Sequence, residues 1–141
     1  MGQGWRIPVH FNYTLTNTRF NGDFEDSFWA DVIEGDKLPY IPSGQGQISL
    51  GLEKGDWAFN VLTNHVAQTR STAGQGIITQ SDSIDARWVF DASINFNVSD
   101  NVRIFATLDN LFDKNYVFSR RPYGARGGKP RSVFLGIEYL F

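Results

Sequence analysis

The chain has 141 residues, a hydrophobic fraction of 41%, no cysteine and a formal net charge of −2. That length suits one ordinary domain, the charge offers no electrostatic footprint for nucleic acid, and the lack of cysteine excludes disulfide frameworks and thiolate metal sites. Phe (12), Tyr (5), Trp (4) and Gly (14), with many Thr, Ser and Asn, favour an all-β fold.

The first ten residues, MGQGWRIPVH, have no charged segment leading into an apolar one. They therefore carry no secretion signal of their own. Residues 5–15 then alternate strictly: Trp5, Ile7, Val9, Phe11, Tyr13 and Leu15 on one side, Arg6, Pro8, His10, Asn12 and Thr14 on the other. This period of two predicts a strand with one apolar face. A long polar stretch, residues 20–43, follows. Residues 47–53 set Ile48, Leu50 and Leu52 against Gln47, Ser49, Gly51 and Glu53. Lys54-Gly55-Asp56 is a tight turn into 57–67, which alternates less cleanly but is marked by Trp57, Phe59 and Val61 on an apolar face.

A second loop covers 70–83. Residues 88–98 place Trp88, Phe90, Ala92, Ile94, Phe96 and Val98 on one side, with only Val89 spoiling the other. Ser99-Asp100-Asn101 turns the chain into 102–112, where Val102, Ile104, Ala106 and Leu108 mark the apolar face. A third loop, 118–130, leads to 131–141, where Val133, Leu135, Ile137, Tyr139 and Phe141 oppose Ser132, Gly136 and Glu138, with Phe134 and Leu140 as exceptions.

Six strands are thus joined by connections that run long, short, long, short, long. An up-and-down barrel in an outer membrane has this rhythm, with short turns on one side and long loops on the other. No window reaches the roughly 20 apolar residues of a membrane helix, so bilayer contact would have to be through strands, of which about 9 to 11 tilted residues suffice. Trp5, Trp57, Trp88, Tyr116 and Tyr139 fall near strand ends, where interfacial girdles place amphipathic rings; core packing in a soluble β protein is the other account of them.

Four segments carry a family resemblance: YTLTNTRF at 13–20, KLPYIPSGQGQISLGLE at 37–53, LDNLFDKNY at 108–116 and GKPRSVFLGIEYLF at 128–141. Together they resemble the C-terminal barrel portion of TonB-dependent outer-membrane receptors, and SRRPYGARGGKPRS at 119–132 is most similar to the ferric dicitrate branch. The resemblance implies an all-β, antiparallel up-and-down transmembrane β-barrel, of which residues 1–141 would be the six C-terminal strands out of about 22. It also implies partners: the remaining strands and a plug domain that this chain lacks, the TonB energy-coupling complex acting through that plug, outer-membrane lipid and lipopolysaccharide, the barrel assembly machinery, and an anionic iron chelate as ligand. Six strands alone would leave two sheet edges unsatisfied in lipid, at a cost of several kcal/mol per group.

Lys114, Arg120, Arg121, Arg126, Lys129 and Arg131 lie in one stretch without an acid, six of the thirteen basic residues. Such a loop would attract an anionic chelate or a lipopolysaccharide phosphate, with Arg120, Arg121, Arg126, Lys129 and Arg131 as the ligand-binding candidates. A solvated loop, or pairing with Asp23, Glu25, Asp26, Asp31, Glu34 and Asp36 of the first loop, accounts for the same charges. Gly136, Ile137, Tyr139 and Phe141 resemble the signal read by the assembly machinery, and are equally a final amphipathic strand.

Other motifs fail. The stretch before Lys129 has Tyr123 and Pro130 where a phosphate loop needs Gly and Ser or Thr, and His10 and His65 have no second ligand at metal spacing. No Ser, His and acid constellation points to an enzyme, and no cofactor is called for. Two other architectures fit the length. One is a soluble lipocalin-like barrel with the apolar face turned inward. The other is a complete small outer-membrane barrel with two extra strands, around Phe28 to Ile33 and Gly76 to Thr79.

Overall fold

The computed structural model describes residues 4–27 and 30–141, and contains strands but no helix among them. In chain order the strands are β1 (Val9–Leu15), β2 (Phe24–Asp26), β3 (Ala30–Val32), β4 (Gly44–Lys54), β5 (Trp57–Val66), β6 (Thr69–Arg70), β7 (Ser83–Ile84), β8 (Arg87–Ser99), β9 (Val102–Asp109), β10 (Val117–Ser119), β11 (Arg126–Gly127) and β12 (Ser132–Tyr139). The six long strands form one antiparallel sheet in the order β1-β4-β5-β8-β9-β12. Each long strand pairs with the next one in sequence, so the sheet is an up-and-down meander. The pairs β2–β3, β6–β7 and β10–β11 are small ribbons folded within the three long connections.

Register carries the alternation across the whole sheet. Val9, Leu50, Val61, Ala92, Leu108 and Val133 form one row through all six strands. Leu52, Phe59, Ile94, Ala106 and Leu135 form the next, followed by Trp57, Phe96, Ile104 and Ile137. Because side chains alternate faces, all these residues lie on one side. The intervening rows, such as Gly51, Asn60, Ser93 and Thr107, lie on the other.

The apolar face is uncovered. Phe11 is 71% exposed and Leu135 80%, while the buried hydrophobics among the described residues are Val32 and Ile84, both in the long connections. A lipocalin-like barrel would bury these rows around a ligand, so the sheet does not have that architecture. Nor do the long connections hide two spanning strands. Ala30–Val32 forms only a three-residue ribbon with β2, Phe28 lies outside the described residues, and Gly76 to Thr79 contains no strand.

Aromatic rings gather at both ends of the apolar face. Toward the long connections His65 stacks between Tyr13 (6.3 Å) and Trp88 (4.5 Å). Toward the short turns Trp57 contacts Phe96 (4.3 Å) and Phe59 (5.9 Å), and Lys54 sits over the Trp5 ring. Trp88 and Phe96 are eight residues apart on β8, about 27 Å along the strand or about 20 Å along the axis at a tilt near 40°, comparable to the about 25 Å apolar band of strand-built membrane barrels. Tyr116 is not part of either band. It lies inside the third connection, under Arg87 and against Gly128.

Three strand boundaries differ from the sequence expectation, each for a local reason. The first strand is interrupted because Pro8 has no N–H: Gly51 donates to the Pro8 carbonyl, and the ladder resumes at Arg6, which exchanges two backbone bonds with Glu53. The second begins earlier, at Gly44, because Gly44 and Gly46 lack the Cβ that would collide with the Tyr13 ring lying over them. The fifth stops at Asp109 because Asn110 turns the backbone at φ 50.

Candidate functional site: polar wall and loop cluster

The polar face is bonded across strands. Asn12 donates to Gln47 (3.2 Å), Ser49 to Asn60 (2.7 Å) and Asn64 to Asp91 (3.5 Å), and Arg103 pairs with Glu138. A wall of amides, hydroxyls and paired charges is stable only against water or a polar partner. It has the chemistry of a hydrated lumen.

At one end of this wall the three long connections are bound together. Lys37 N donates to the Gly74 carbonyl (3.0 Å), Tyr40 N to the Arg70 carbonyl (2.9 Å) and Gln75 Nε2 to the Glu34 carbonyl (3.2 Å), joining the first connection to the second. Arg120 Nε donates to the Ser83 carbonyl (2.6 Å), joining the third to the second.

Within the third connection one buried side chain organises the path. Asn110, 2% exposed, accepts from Lys114 N at 2.8 Å and donates through Nδ2 to the carbonyls of Lys114 (3.1 Å) and Lys129 (2.9 Å). Its own N–H donates to Asp91 on β8 (2.8 Å). Asp113 then accepts from Arg131 N (3.2 Å). The segment LDNLFDKNY therefore acts as a clasp that brings the two ends of a long loop together.

The five basic candidates separate on this framework. Arg120 is half-buried and tied to Ser83. Arg121 is half-buried and engaged, and precedes a cis bond to Pro122. Lys129 pairs with Asp109 and lies over the Phe134 ring. Arg126, on β11 opposite Ser119, is exposed, and Arg131 is exposed at the entry to β12. At the C-terminal end, Gly136 lies beneath the Phe105 ring, Ile137 opposes Ile104, and the Tyr139 and Phe141 rings are 6.1 Å apart. All but Phe141 belong to β12, an edge of the sheet.

Sequence reasoning missed Asn110, Asp91 and Arg70. Asn110 was within reach, because it stands in the middle of a recognised motif. Nothing in the sequence distinguishes Arg70 from an exposed loop arginine, yet it is 6% exposed.

The family described as TonB dependent receptor-like, beta-barrel matches residues 1–111. No curated protein matches the chain. Among solved structures, the closed form of the ferric-catecholate import receptor Fiu from E. coli K12 superposes with a TM-score of 0.75 at 21% identity, over 96% of this chain and 19% of that one. The copper transporter OprC gives 0.63 at 25% identity, over 76% and 19%. The ferric citrate transporter FecA, unliganded, gives 0.63 at 18% identity, over 76% and 18%. The chain thus spans about a fifth of the length of each of these structures.

Proposed function

Because the chain belongs to the TonB-dependent receptor-like β-barrel family, we propose that it forms the six C-terminal strands of an about 22-stranded barrel in the bacterial outer membrane that takes up an anionic ferric chelate. The observation that carries this reading is the orientation of the sheet: unbroken apolar rows with no protein cover, backed by a polar wall and open at two edges. In lipid only a closed barrel satisfies such edges, so β1 and β12 must find further strands.

In this reading a plug domain fills the lumen along the polar wall and couples to the TonB complex, while β12 with Gly136, Ile137, Tyr139 and Phe141 is the strand that the barrel assembly machinery engages. Lipid covers the apolar rows, and lipopolysaccharide meets the rim near the long connections. The basic third connection faces the chelate. Arg126 and Arg131 supply free charge there, while Arg120 and Lys129 hold the loop in shape. A ferric chelate of siderophore or citrate type suits this charge, and the likeness to SRRPYGARGGKPRS favours citrate within that class.

The test is uptake of radiolabelled ferric citrate and of a ferric catecholate by outer-membrane-bearing cells that express the receptor containing this chain. Energy-dependent uptake of either supports the reading. Uptake of neither, by cells with the barrel correctly inserted, excludes a ferric chelate as cargo.

A further inference from the structure

Arg70 poses a problem that the receptor reading does not solve. Its guanidinium has one hydrogen-bond partner, the Gly76 carbonyl at 3.0 Å, and no carboxylate within ion-pair distance among the described residues. A full charge on a side chain that is 6% exposed is thus matched by a single neutral acceptor within the protein, and buried charges are ordinarily paired. Two acids of these connections have other partners. Asp36 accepts from Ile33 N at 3.0 Å, and Asp82 accepts from both the N–H and the hydroxyl of Ser71.

Arg70 lines a cavity of about 70 Å³ with Lys37, Ser43, Gln68 and Thr69. A cavity of about 160 Å³ adjoins it, sharing Lys37 and Ser43 and adding Thr16, Asn17 and Thr18. Neither lining contains an Asp or Glu, although the first connection is rich in both. Lys37 has no side-chain partner among the described residues. The cleft therefore presents two cations, four hydroxyls and two amides beside the apolar Leu38, Ile41 and Ile78, and no carboxylate. Its space is well above the about 15 Å³ that one water needs.

We propose that this cleft, between the β1–β4 and β5–β8 connections, binds an oxyanion: a phosphate or carboxylate group held by Arg70 and Lys37 and by the hydroxyls of Ser43 and Thr69. A guanidinium can take two oxygens of such a group at once, and the hydroxyls complete its remaining lone pairs. The site is separate from the Arg126 loop and rests on the receptor reading only in that a folded barrel carries both connections. The anion can come from a soluble molecule or from a lipid headgroup.

The test uses the complete receptor in dodecyl maltoside, titrated calorimetrically with sodium phosphate, trisodium citrate and lipopolysaccharide. Lys37→Gln and Arg70→Gln are compared with Lys54→Gln at the opposite end. Saturable binding of at least one probe is expected, weakened tenfold or more by Lys37→Gln and unchanged by Lys54→Gln. Response to phosphate or citrate assigns a soluble source, and response to lipopolysaccharide alone assigns a headgroup. Lys37 is exposed, so its variant leaves folding intact. If the receptor migrates as a folded barrel in unboiled gels but binds none of the three, or if Lys37→Gln leaves the affinity unmoved, the anion site is overturned and the receptor reading stands.

Discussion

The side-chain amide of Asn110 donates to the carbonyl oxygen of Lys129 at 2.9 Å, joining the end of β9 to the approach to β12 across the whole third connection. The same side chain bonds Lys114 in both directions. Asn110→Asp keeps the acceptor and the shape but removes both donors, leaving the part-buried carbonyls of Lys114 and Lys129 without that partner. The expected loss is about 2 kcal/mol. It should be read as a lower unfolding midpoint in unboiled gels and as new protease cleavage between residues 114 and 131. Unchanged protease resistance would contradict the clasp.

A second pair concerns the last strand. An added Cβ at Gly136 would stand 2.2 Å from Phe105 Cζ, directly across the β9–β12 ladder. Gly136→Val should therefore destabilise the barrel by about 1–3 kcal/mol through overpacking. Adding Phe105→Ala should recover part of that loss. If the double variant is no better than Gly136→Val alone, the contact is not the cause.

The basic residues of the third connection make distinguishable predictions. Arg126→Gln should weaken binding of an anionic chelate several-fold without changing stability, since Arg126 is exposed. Arg120→Gln should instead loosen the loop cluster by about 1–2 kcal/mol, because its bond to Ser83 O is lost. Titration of the chelate by intrinsic fluorescence, alongside thermal melts, separates the two effects. Equal affinity in Arg126→Gln would remove that residue from the ligand site.

Phe141 continues β12 beyond its last paired residue, with its ring near Tyr139. Its deletion should lower the amount of assembled barrel in the outer membrane, measured on membrane fractions, while leaving synthesis unchanged. Normal assembly without it would count against a recognition role.

The long strands were legible because one face of each is apolar and the other polar, which writes a period of two into β1, β4 and β8. Their connections were legible as lengths. Pro8 concealed a break in the first ladder, and Gly44 and Gly46 read as loop because the ring that fills their space, Tyr13, comes from another strand. The ribbons β6–β7 and β10–β11 are too short to show any period. At the candidate site the cluster of charge was visible but its division of labour was not. Whether an arginine bonds a carbonyl, as Arg120 does, or stands free, as Arg126 does, is set by contacts between residues far apart in sequence.

Adjacent positions on β5 give the most direct measurement of the orientation on which the account depends. Val61 belongs to the apolar row and Asn60 to the polar one. Spin labels placed singly at each, in the receptor reconstituted in liposomes, report collision with oxygen, which concentrates in lipid, and with a nickel chelate, which stays in water. The label at position 61 should be relaxed by oxygen and shielded from nickel, with the reverse at position 60. A label at 61 shielded from both reagents would mean that the apolar rows are packed inside a protein core, and would contradict the barrel.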